Sequence, residues 1–246
     1  MAAGMTPSGV VAVALAVFVL AAAAQAVTGF GMALVAVPLT ALVVDPVTAV
    51  VATTVVGLVL TSMASWRERR HVEGRVAWRM TFAAVFGMPA GLLLLAGLDE
   101  RSLQLIIGGG LLVMVLLLVA RVRFPTGNGA QYGSGLLSGA LLTSTGLNGP
   151  PVVLTLQGLD LPPHRFRGTL QVVFCAQDLV AVAAFVALGH VDRLTATVAL
   201  AGILGVPVGW WLGDRVFGWL PAARFRAVVP STLGVTALVS LWGALS

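Results

Sequence analysis

The chain has 246 residues, 59% of them hydrophobic and only 9% charged, with a mean hydropathy of +1.02. A soluble domain carries about 25% charged residues, so this chain could not cover a water-facing surface, and its repeated apolar runs of about 20 residues place it in a bilayer. The formal charge of +5 comes from fourteen arginines lying between apolar runs, a pattern of loop topology rather than of nucleic-acid binding, and the single Cys175 excludes an intramolecular disulfide or a CxxC motif.

In chain order the apolar segments are 9–27, 31–44, 47–66, 78–97, 102–120, 133–145, 149–159, 168–188, 195–213 and 225–244. The first lacks a positive leader and carries part of a motif repeated later, so it reads as mature structure rather than a signal peptide. Segments 31–44, 133–145 and 149–159 fall short of the about 20 helical residues needed for a crossing. Each half is therefore expected to begin with a hairpin of part-length helices bent at a glycine motif. Such backbone is tolerated at membrane depth only where protein or a watery cavity surrounds it.

The two halves repeat one another. Thr28-Gly29-Phe30-Gly31 is answered by Thr145-Gly146-Leu147-Asn148-Gly149, His71-Val72-Glu73 by His190-Val191-Asp192, and Gly87-Met88-Pro89-Ala90-Gly91 by Gly205-Val206-Pro207-Val208-Gly209. The offsets are 117, 119 and 118 residues. The expected organisation is an all-α polytopic membrane protein of 8–10 segments, with one repeat in 1–125 and a second in 126–246. Each repeat is a short-helix hairpin plus three spanning helices. An odd number of crossings per half makes the second repeat enter upside down, so the repeats are inverted. Twelve arginines then fall on one side, in loops 67–79, 121–132, 160–167 and 214–226, against Arg101 and Arg193 on the other. The arginine-rich side is expected to be cytoplasmic in an inner membrane, with both termini outside and His71 and His190 at opposite faces.

The glycine turns are candidate binding elements. Glycine permits a tight turn and close backbone approach, and the amides of the helix that follows form a positive end suited to an anion. Asn148 is an expected N-cap, and Pro150-Pro151 suits a first helical turn. Inversion would bring both helix starts to one midplane point. The substrate-binding candidates are Gln25, Thr28, Gly29, Phe30, Gly31, Thr145, Gly146, Asn148, Gly149 and Pro150. Gln157, Gln171, Gln177 and Asp178 also fall inside apolar segments, where unpaired polar groups are costly, so they are coupling or pathway candidates. Asp178 is the mid-span acid, a candidate proton carrier or a structural hydrogen-bonding group. Pro89 and Pro207 predict matching bends, serving as hinges or as fixed packing features. His71 and His190 are not expected to hold metal, and no catalytic constellation, Walker motif or cofactor signature occurs.

Gln25-x-x-Thr28-Gly29-Phe30-Gly31, Gly146-x-Asn148-Gly149-Pro150-Pro151, the duplicated Gly-x-Pro-x-Gly and the run from Leu161 to Thr169 together resemble the TauE/SafE family of sulfite-exporter-like permeases over essentially the whole chain. The resemblance implies transport of small anions such as sulfite and organosulfur compounds, often as export, with no enzymatic activity. The expected function is secondary transport by alternating access, with protons as a candidate coupling ion and lipids as the surrounding partner. A passive anion channel on the same scaffold is the alternative. With one cysteine, an intramembrane thiol-electron carrier has little support.

Overall fold

A computed structural model of the chain describes residues 6–28, 31–119 and 126–219. Gly29, Phe30, Arg121, Arg123 and the predicted segment 225–244 lie outside the described residues. The regular elements described are all helical: α1 (Pro7–Thr28), α2 (Met32–Thr40), α3 (Pro46–Glu68), a 3-10 turn at Arg69–His71, α4 (Gly74–Gly97), α5 (Glu100–Val119), α6 (Asn128–Thr145), α7 (Gly149–Gly158), α8 (Pro163–Ala187) and α9 (Arg193–Trp219). Five of these helices contain stretches long and apolar enough to cross a membrane: those within α1, α3, α4, α8 and α9. Their outward faces are apolar, with Leu93 75% and Leu204 65% exposed. Such faces suit hydrocarbon, and the protein is a multi-pass membrane protein.

Three helices start on the same device. Asp45 accepts from the Thr48 amide at 2.9 Å, Asp99 from Ser102 and Asp192 from the Thr195 amide at 2.7 Å, each filling one orphan donor of a first turn. The Ser102 and Thr195 bonds hold the Asp99 and Asp192 carboxyls below the usual carboxylate range. Glu73 occupies the same place before α4 but makes no cap. Its longer side chain pairs with Arg165, while its amide donates to Thr169 Oγ1 at 2.9 Å.

The helices pair in an exchanging pattern. The first helix of each half packs along the fourth of the other, α1 on α9 and α6 on α4, while α3 packs along α8 at the centre. The Gly-x-Pro-x-Gly motifs explain the tight crossings. A methyl group at Gly87 would overlap the Leu136 carbonyl, one at Gly91 the Ala140 carbonyl, and one at Gly209 the Val19 carbonyl. Small residues let backbones touch in this way. Both α4 and α9 run on through Pro89 and Pro207 as single helices.

One expected boundary is corrected. The segment predicted as 133–145 starts five residues earlier. As α6 it starts at Asn128 and runs 18 residues, about 27 Å at 1.5 Å per residue. Its first turn is too polar to register as apolar, yet Arg79 of α4 donates to Asn128 and Gln131 and supports it there. Gln157 lies in α7 as expected, exposed near its end.

Arginine-rich connections meet at one end of the bundle. Arg165 reaches Glu73, His164 lies 5.5 Å from His71 between ring centres, and Arg79 binds the start of α6. His190 follows the far end of α8, some 25 residues from its start, so the two histidines lie at opposite ends of that helix.

Candidate functional site

The α1–α2 and α6–α7 breaks form because two backbones turn through conformations that favour glycine. Gly31 has φ 112° ahead of α2, and Gly146 has φ 73° where its amide closes α6 on Leu142 O. A side chain at Gly146 would also press on Val37. Both breaks line one small cavity of about 40 Å³. Gln25, Gly31, Met32, Ala33 and Leu34 border it from the first break, and Leu142, Gly146, Leu147, Asn148 and Gly149 from the second. Its remaining walls are Thr53, Thr54, Gly57 and Thr61 of α3 and Phe174 and Asp178 of α8. One water needs about 10–15 Å³ on this measure, so the space suits a few waters or a small ion.

The donors are neutral. Gln25 Oε1 accepts from the Met32 amide at 3.1 Å, which closes the first break. The geometry of a helix start leaves the next amides, Ala33 and Leu34, without intrahelical acceptors. Thr54 donates to Val50 O, but Thr53 Oγ1 is buried with no hydrogen-bond partner. A buried hydroxyl left unpaired costs about 1–3 kcal/mol, which a ligand in the cavity would relieve. Thr53→Val is therefore expected to stabilise the anion-free protein by about 1 kcal/mol while weakening anion binding about tenfold. Thermal melts with and without anion check both signs.

The second break departs from expectation. Asn148 sits at the N-cap of α7 but makes no side-chain cap. An N-cap side chain accepts from the amide two or three residues on, and here those residues are Pro150 and Pro151, which have none. The Asn148 amide instead donates to Gln177 Oε1 at 3.1 Å, and Ser138 donates to the same oxygen and to Asn148 O, both at 2.9 Å. Gln177 is completely buried, as expected of a mid-span amide, but it braces the break from behind. The prolines also leave Gly149 as the main amide this helix start offers.

The other candidates separate. Thr145 Oγ1 donates to Leu141 O, and Thr145 and Pro150 face a second, apolar cavity between α5, α6 and α7. Gln171 is buried on the α3–α8 contact, where its carbonyl accepts from Ser65. Thr28 ends α1, without a described side chain. The α3 wall went unread in the sequence. Thr53, Gly57 and Thr61 recur every four residues, which puts them on one helix face, and that stripe is the signal. Among the described residues no group of metal-binding side chains occurs.

Residues 14–240 match the family model for the sulfite exporters TauE/SafE. The chain belongs to the TauE/SafE family. The match covers nearly the whole chain and therefore every helix described above. Membership makes it one of a family of membrane permeases for sulfur anions, rather than of enzymes. No curated protein and no solved structure gives a match. In this TauE/SafE chain, the cavity between the two breaks is the place where helix starts from both halves meet.

Proposed function

We propose that the chain is a secondary transporter of small sulfur oxyanions, sulfite or a short sulfonate, and that it binds them in the cavity between the two breaks. The observation that carries this reading is the unpartnered hydroxyl of Thr53, a residue that borders the cavity between the starts of α2 and α7. Amides of Ala33, Leu34 and Gly149 and the Thr53 hydroxyl replace water around the anion. Gln25 and Asn148 hold the two breaks in place. The exchange of helix pairs, α1 with α9 and α6 with α4, supports two inverted repeats that rock about the α3–α8 contact to alternate access. The arginine-rich end is cytoplasmic by the positive-inside rule, and membership of an exporter family supports outward transport.

Purified protein is expected to melt several degrees higher with millimolar sulfite, thiosulfate or a two-carbon sulfonate. Asn148→Ala in liposomes is expected to lower uptake about tenfold by loosening the second break. No shift with any of these anions, together with unchanged uptake in Asn148→Ala, rejects the site. A passive channel would dissipate an anion gradient but never build one, so accumulation under an imposed pH gradient separates the two.

A further inference from the structure

We infer that the transported species is a monoanion and that it shares its cavity with a proton on Asp178, so that the two move together. The inference rests on the anion reading above and adds the charge of the substrate and the identity of the coupling group. Asp178 is 15 residues into the 25-residue α8, near mid-span, and is 5% exposed. Its Oδ2 accepts from Thr61 at 3.0 Å and lies 3.4 Å from where a Gly57 methyl would sit. The missing side chain at Gly57 lets the carboxyl stand against the α3 wall, and both residues border the same cavity as the α2 and α7 helix starts.

The charges that face Asp178 decide the coupling. Among the described residues, no basic side chain, histidine or second acid lines the cavity. From α3 the carboxyl meets Thr61 and Gly57, and Met32 of α2 lies close by. Along α8 the next titratable side chain is Cys175, in contact with Ser62. On the elements packed against α8, the charged groups Arg67, Glu68, Arg69, Arg70, His71, Glu73, Arg75 and Arg79 all belong to the far end of α3, the 3-10 turn and the start of α4, where Arg165 and His164 also lie. Arg167 is eleven residues from Asp178, about 16 Å along the helix.

Two negative charges in one space without a cation repel. At about 6 Å and an effective dielectric near 20 the repulsion weakens binding about a hundredfold. An anion therefore binds the protein whose Asp178 carries a proton, and by reciprocity anion binding draws a proton onto it. The same neutral donors disfavour a dianion, whose dehydration cost rises steeply with charge. Carrying a monoanion with one proton is electroneutral.

Ethanesulfonate tests this, because it is a fixed monoanion with no proton of its own to give or take in the range used. Proton uptake by purified protein in weak buffer is followed with a pH dye between pH 5 and 9, beside affinity by calorimetry. The expected result is uptake approaching one proton per anion bound at its maximum. Affinity is expected to fall about tenfold per pH unit over about two units, then level off. Ethanesulfonate is expected to bind at least tenfold tighter than ethane-1,2-disulfonate. Asp178→Asn should bind ethanesulfonate with no proton uptake and no pH dependence. Thr61→Val, which removes only a hydroxyl, should move the pH midpoint and keep the uptake, so the assignment remains testable if Asp178→Asn does not fold. Binding by the unmodified protein without proton uptake at any pH overturns the coupling and leaves the anion site standing. Uptake that persists in Asp178→Asn, or a midpoint unmoved in Thr61→Val, overturns the assignment to Asp178. Tighter binding of the disulfonate overturns the monoanion. Failure of every anion to bind removes the site reading and this inference with it.

Discussion

Gly139→Val is expected to abolish recovery of folded, monodisperse protein, whereas Gly133→Ala on the same helix is expected to be neutral. At Gly139 even a methyl group would overlap the Ala84 carbonyl of α4. Gly135 meets Met80 in the same way, and Gly87 and Gly91 answer from α4 against Leu136 and Ala140. The α4–α6 contact is thus a backbone-to-backbone seam four glycines long. Core overpacking typically costs about 1–3 kcal/mol because side chains shift aside. A carbonyl fixed within a helix cannot, so the helices must part and lose their contact. A cost above about 4 kcal/mol is expected, a large share of a typical folding free energy of about 5–15 kcal/mol. Gly133 has nothing within 4 Å of an added methyl. Its substitution should stay within about 0.5 kcal/mol, by size-exclusion profile and melting temperature. Equal behaviour of the two variants would refute the seam.

Gln177→Leu is expected to be the most damaging polar substitution outside the cavity. Gln177 Oε1 accepts from both Asn148 and Ser138, and it is fully enclosed. Leucine fills the volume but strands the Asn148 amide, while the Ser138 hydroxyl keeps its bond to Asn148 O. The stranded amide costs about 1–3 kcal/mol, partly offset because the Gln177 amide nitrogen is itself unpartnered. A net loss of about 1–2 kcal/mol is expected, with anion affinity down more than tenfold because Asn148 borders the cavity. A double-mutant cycle with Asn148→Ala should show coupling of about 1–2 kcal/mol. Additive effects would mean that Gln177 does not act through Asn148.

Much of the fold was legible in the chain. Helices α1, α3, α4, α5, α8 and α9 stand close to their predicted segments, because a bilayer demands long apolar runs and loops betray themselves through arginine, proline and glycine. The glycine turns were legible too, since Gly31 and Gly146 adopt backbone angles that other residues rarely take. What misled was a local rule applied without its neighbours. Asn148 reads as a cap by type, yet the two prolines after it remove the amides it would bind. Thr145 reads as part of the same motif, yet a hydroxyl on α6 satisfies itself on Leu141 O, one turn back.

By itself the sequence determined that this is a helical membrane protein with breaks at two glycine motifs. Those properties follow from composition, period and local stereochemistry, which act over a few residues or over whole spans. Only the tertiary structure decided which polar groups meet. It set Thr61 and Gly57 of α3 against Asp178, turned Gln177 onto Asn148, and left the buried hydroxyl of Thr53, a residue bordering the cavity, without a partner. Thr61 and Asp178 are 117 residues apart in the chain. No local rule pairs groups at that separation. The crossing of α3 and α8, fixed by packing along their whole length, does.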